Sequence, residues 1–143
     1  LNTIYNHRNH LRQNELDGRT PMEALVHEIN NHQFYHIFDS SEGRMTSLFF
    51  AHPKSLELAK QFPTTLLLDC TYKTNKFRMP LLHIVGINSS NRYFYLAFCF
   101  LSAEKQINYT WALEQLLLSL SNISPSVLVP NNEGALINAI NQV

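Results

Sequence analysis

The sequence has no excess of charge of either sign: 11 Lys and Arg balance 11 Asp and Glu, for a formal net charge of zero. A self-sufficient nucleic-acid binder usually carries a basic surplus, because neutralising phosphates supplies most of its sequence-independent affinity. If DNA is a partner, most of the grip lies outside this segment. Cysteine is scarce. Cys70 and Cys99 both stand in apolar, strand-like runs, without a C-x-x-C or a pairing framework, which argues against a disulfide scaffold and suits buried thiols in an intracellular protein. No apolar run reaches the roughly eighteen residues of a membrane span, and no signal peptide is evident. His7, His10, His27, His32, His36, His52 and His83 include i,i+3 and i,i+5 spacings but form no Cys-His set with zinc spacing. His7 and His10 are read as the exposed face of a helix. Repeats, low-complexity tracts and linkers are lacking too.

What is present is a packed composition, 45% apolar and 11% aromatic over 143 residues, which suits one domain or a piece of one. The chain begins at Leu1 rather than Met and stops at Val143 in a helical apolar rhythm (Leu136, Ile137, Ile140, Val143), so a fragment cut at both ends is expected. Its character shifts near Pro63. Residues 3–16 read as a helix and "DGRT" as its break. Thr20, Pro21 and Glu23 make a capping-box start for a second helix to about His32. "FYHIFD" and "RMTSLFFA" around "SSEG" read as a hairpin, and "PKSLELAKQF" as a short helix. From Thr64 the pattern is strand ("TTLLLDC", apolar enough to be buried on both faces in mid-sheet), hairpin ("LLHIVGIN", "SSN", "RYFYLAFCFL"), helix from Asn108 to Ser121, strand ("PSVLV") and a helix opening near Asn132. Trp111, Tyr109 and the leucines after them are core at helical spacing. The order predicts an α/β (α+β) mixed sheet with flanking helices.

Within "LLLDCTYKTN", alternation places Leu66 and Leu68 on one face of the strand, and Leu67, Asp69 and Thr71 on the other. An ionised Asp at the end of a central strand is costly unless hydrogen-bonded, paired or metal-bound. Two readings stand: Asp69 bonds the backbone of the following loop as a turn former, or it is a functional carboxylate. Lys73, Lys76 and Arg78 form the local basic cluster, either a solvated loop or a phosphate contact.

"FFAHPKSLELAKQFP", "LLLDCTYKTNKFRMPLLHIVGIN", "FCFLSAEKQINYTWALEQL" and "PSVLVPNNEGALINAI" together resemble the transposase domain of Mutator-like elements (MULE), from about Leu48 to Ile140. The resemblance implies residues 1–62 as a helical and hairpin segment preceding the core, and residues 63–143 as a partial ribonuclease H-like domain truncated at its C-terminus. It implies DDE chemistry, in which three acids hold two Mg²⁺ or Mn²⁺ ions for hydrolysis and strand transfer of transposon DNA in a nucleus. Asp69 matches the family's first acid and metal ligand. The second acid belongs in a Val-Thr-Asp type sequence, where "VLVPNNE" places Pro130 and Asn131. Asn131 is thus a degenerate second position, Glu133 is the nearest spare carboxylate or a first-turn Glu favoured by the helix dipole, and the third acid falls beyond Val143. An inactive transposase copy is the leading expectation. A domesticated, DNA-associated regulatory module without catalysis, as in the plant far-red-response factors that resemble the same transposases, is the alternative. Transposases often work as dimers, which leaves a homo-oligomer open.

Overall fold

A computed structural model of the chain describes residues 20–62, 65–72 and 75–143. It divides into two units between His32 and Gln33. The first unit contains helix α1 (Pro21–Asn31). Its start is the expected capping box: the Glu23 amide donates to Thr20 Oγ1 at 3.3 Å, and Glu23 Oε2 accepts from the Thr20 amide at 2.8 Å. These bonds satisfy amides that the first turn leaves without helical partners. The predicted helix over residues 3–16, with His7 and His10, lies outside the described residues.

The second unit runs β1 (Tyr35–Ser41), β2 (Arg44–Ala51), α2 (Pro53–Gln61), β3 (Thr65–Thr71), β4 (Leu81–Ile87), β5 (Tyr93–Phe100), α3 (Gln106–Ser119), β6 (Val127–Pro130) and α4 (Gly134–Gln142). The strands form one six-stranded mixed sheet in the order β1-β2-β5-β4-β3-β6. The hairpin expected around "SSEG" turns through Glu42 and Gly43, both at positive φ (51° and 74°). That sense of turn matches the twist of paired antiparallel strands. The hairpin joins the sheet through the antiparallel pairing of β2 with β5. α2 begins at Pro53, and the His52 ring accepts from the Lys54 amide at 3.2 Å, so imidazole replaces the commoner hydroxyl or carboxylate cap.

β3, β4 and β5 are antiparallel neighbours, so β5 runs parallel to β3. α3 then carries the chain back to β6, which pairs parallel with β3. The core lies on one face of this sheet, where Leu66, Leu68, Leu82, Ile84, Cys99 and Leu101 meet Leu56 and Ala59 of α2, Tyr109, Ala112, Leu113 and Leu116 of α3, and Leu136 and Ala139 of α4. In β5 the register slips between Ile84 and Val85, leaving Leu96 as an extra residue. The bulge lets Leu96 and Ala97, adjacent in sequence, both be buried.

Three expectations are corrected here. β3 is an interior strand, but it is the fifth of six rather than mid-sheet, and it is not buried on both faces: Leu66 and Leu68 are buried, Leu67 is half-buried and Asp69 is exposed. The three helices of this unit take the side of the sheet that holds Leu66 and Leu68, so a run of three leucines serves a one-sided strand. α3 opens at Gln106, two residues before the expected Asn108. α4 opens at Gly134 rather than near Asn132, because Asn131 and Glu133 close a turn first, with the Glu133 amide donating to the Asn131 carbonyl at 2.7 Å.

Candidate functional site

Asp69 does not end its strand, as the sequence suggested; β3 continues through Thr71. Among the described residues Asp69 bonds no backbone of the following loop. The turn after β3 is made by Asn75, whose Oδ1 accepts from the amides of Phe77 (3.1 Å) and Met79 (3.4 Å) and whose Nδ2 donates to the Met79 carbonyl at 2.6 Å. The Asp69 carboxylate instead accepts from Asn131 Nδ2 at 3.2 Å, across 62 residues of sequence.

Residue 131 arrives beside Asp69 through the register of the parallel pair, in which Leu68 lies opposite Pro130. Consecutive amides of a strand point to opposite edges. The Asn131 amide therefore donates inward to the Leu68 carbonyl at 2.9 Å, while the nitrogen of Pro130, which has no hydrogen to give, faces the open edge of the sheet. β6 is the outermost strand on that side. Proline is tolerated at such an edge, and Pro130 does not displace the residue after it.

The site has two sides. On the exposed side, Asp69 lies directly across the β3–β4 pair from His83. His83 Nε2 hydrogen-bonds Thr71 Oγ1 at 3.3 Å, and the ring meets Phe98 edge to face at 5.5 Å between centroids. Spacing along the chain marks His83 only as one of seven histidines; its place beside Asp69 follows from the register of β3 with β4. On the helix-covered side, Glu133 accepts from the Tyr109 hydroxyl at 2.7 Å. Burial pushes the Cys70 thiol up to about 12. It also drives the Tyr109 hydroxyl well above its ordinary value, with the bond to Glu133 and the nearby Cys70 adding to the shift. Both groups are therefore protonated at neutral pH. Glu133 occupies the N-cap position of α4 without a side-chain capping bond, and its carboxylate accepts from Tyr109.

Side by side, the described residues bring one carboxylate, Asp69, and one uncharged amide, Asn131. Asn131 Nδ2 donates to Asp69, and its Oδ1 is buried with no hydrogen-bond partner. Glu133 is engaged on the opposite side of the turn. Among the described residues no cluster of three or more His, Cys, Asp and Glu side chains could hold a metal ion.

Of the basic cluster, Lys73 lies outside the described residues. Lys76 and Arg78 are exposed, with the Lys76 ammonium 5.6 Å from the centre of the Phe77 ring. Phe77 in turn packs edge to face on Phe100 at 5.1 Å. This short loop is thereby tied to the sheet at Phe77 while its cationic heads face solvent.

Residues 65–143, more than half of the chain, match the family model described as the MULE transposase domain. The chain belongs to the MULE transposase family. Among individual proteins, this MULE chain is 29% identical over 117 residues to Protein FAR1-RELATED SEQUENCE 6 of Arabidopsis thaliana, covering 81% of the chain and 16% of the relative. It is 23% identical over 114 residues to Protein FAR-RED IMPAIRED RESPONSE 1 of the same plant, covering 79% and 14%. It is also 29% identical over 150 residues to the PKS-NRPS hybrid synthetase cheA of Chaetomium globosum, covering 98% of the chain and 3% of that protein. The MULE chain thus spans less than a fifth of the length of each of these relatives. No solved structure matches it.

Proposed function

We propose that this chain is the core of a Mutator-like transposase, of the class that cleaves and joins DNA strands at divalent ions, in which metal-dependent catalysis has been lost. One observation carries the reading: beside Asp69, where the family resemblance puts the second acid, stands Asn131, an uncharged amide whose Nδ2 donates to the Asp69 carboxylate at 3.2 Å. A unit charge at about 4 Å is worth roughly 4 kcal/mol per opposing unit charge at an effective dielectric near 20. Losing half of that lowers ion affinity by more than about tenfold. Asp69 would hold Mg²⁺ or Mn²⁺ weakly, and a ribonuclease H-like arrangement of the complete domain would set the third acid beyond Val143. DNA is the partner of this reading, in a nucleus, held mostly by regions outside the chain, with Lys76 and Arg78 as local phosphate contacts.

A second reading is a DNA-associated regulatory module without catalysis. The likeness to FAR-RED IMPAIRED RESPONSE 1, a protein named for a response rather than for transposition, supports it. Zinc modules with no acid after Val143 in the longer protein would favour this reading over the first.

The test is Asn131→Asp. Calorimetric titration with Mn²⁺ is expected to show at least about tenfold tighter binding than the native chain. Unchanged titrations would remove the assignment of residue 131 as the second acid position.

A further inference from the structure

The turn that delivers Asn131 to Asp69 is held from behind. Three consecutive residues leave the sheet at the end of β6. The Asn131 amide is bonded to Leu68, its carbonyl accepts from the Glu133 amide, and its side chain reaches Asp69. The Glu133 carbonyl then accepts from the Ile137 amide at 3.0 Å, which begins α4. None of these bonds sets the roll of the turn about the strand direction. The contact that can do so is the 2.7 Å bond between the Tyr109 hydroxyl and Glu133 Oε2, because Tyr109 is fully buried in α3 and cannot follow a shift of the turn. Glu133 is drawn to the helix-covered side, and residue 131, two positions earlier in the same turn, is left on the side of Asp69.

We propose that Tyr109 and Glu133 are positioning residues, a brace on the helix-covered side that aims the side chain of residue 131 at Asp69. The proposal rests on the reading of the Asn131–Asp69 pair given above. It assigns a function to two groups that the metal chemistry of the family does not use. The donor and acceptor roles also define the conservative variant. Glu133→Gln keeps an oxygen that can accept from the phenol, whereas Glu133→Ala and Tyr109→Phe each remove one end of the bond.

The experiment follows hydrogen exchange of the Asn131 side-chain amide by ¹⁵N NMR on the full 143-residue chain, with Asp69→Ala as the reference for a lost pair. In the native chain the exchange is expected to be slowed about tenfold relative to the exposed Asn side chains, as a hydrogen-bonded amide should be. Glu133→Ala and Tyr109→Phe are expected to abolish that protection as fully as Asp69→Ala does, and Glu133→Gln to retain it. Protection that survives both Glu133→Ala and Tyr109→Phe while Asp69→Ala removes it overturns the brace and leaves the pair standing. Protection unaffected by Asp69→Ala overturns the pair itself, and the brace with it. Should Tyr109→Phe fail to fold, the comparison of Glu133→Ala with Glu133→Gln decides alone, since Glu133 lies in a surface turn and not in the core.

Discussion

Two thiols give the residue scale its clearest pH dependence. Cys99 is fully buried in β5, and burial raises its ionisation well above the ordinary 9.0; Cys70 is pushed from 9.0 to about 12. The folded state therefore keeps these protons after the unfolded chain has begun to lose them. Their contribution to stability is complete below pH 9 and is lost as pH rises from 9 toward 12, at a limiting slope of about 1.4 kcal/mol per pH unit for each group. Urea unfolding at pH 8, 9 and 10 should show stability falling above pH 9, with Cys99→Ala giving a shallower fall whatever its stability at pH 8. An equal slope in the variant would show that Cys99 does not drive the loss. Among the site residues, Asp69 stood out in the sequence because a carboxylate interrupting an apolar strand needs a reason. The position of Asn131 was reached through the family resemblance. His83 and the link between Tyr109 and Glu133 were not legible, since each depends on where a neighbouring strand or helix sets a side chain, and spacing along the chain carries no such information.

At the scale of elements, the close approach of β4 and β5 rests on Gly86. The ring of Phe94, opposite Gly86 in the register, occupies the space that a Cβ would need. Gly86→Ala should displace the ring and cost about 1–3 kcal/mol, the usual penalty of overpacking. Denaturant melts would record the loss, and a cost below about 0.5 kcal/mol would mean that the ring swings aside freely. Most elements were legible from pattern. The capping box at Thr20, Pro53 at the start of α2, the "SSEG" turn and the heavy Leu content of α3 each act within a few residues, where backbone sterics and local hydrogen bonds decide. The misreading of β3 has a clear cause. "TTLLLDC" looks buried on both faces because Leu67 is apolar, but burial is set by which face the helices cover, and that depends on the path of α2, α3 and α4. The bulge at Leu96 was invisible in "RYFYLAFCFL" for a similar reason: where every residue is apolar, alternation has no phase.

For the whole molecule, zero net charge makes a quantitative prediction about DNA. The isolated chain should bind double-stranded DNA no more tightly than about 10⁻⁴ to 10⁻⁶ M at physiological salt, the range of non-specific contact. If Lys76 and Arg78 each meet one phosphate, the double variant Lys76→Ala/Arg78→Ala should lower the salt slope of log K by about 1.8. A fluorescence-anisotropy titration across salt concentrations measures both, and an unchanged slope would remove the loop from the DNA contacts. Among the described residues no helix is long and apolar enough to cross a membrane.

By itself the sequence determined the class of fold, the family, and the presence of one isolated carboxylate in an apolar strand, because periodicity, caps and motifs are properties of neighbouring residues. Only the tertiary structure decided what that carboxylate meets. The parallel register of β6 on β3 brings residue 131 to Asp69 across 62 positions. The Tyr109 hydroxyl of α3 holds Glu133 on the other side of the turn, and an uncharged amide meets the Asp69 carboxylate. These outcomes depend on distances between elements far apart in the chain, and such distances exist only after the sheet has formed.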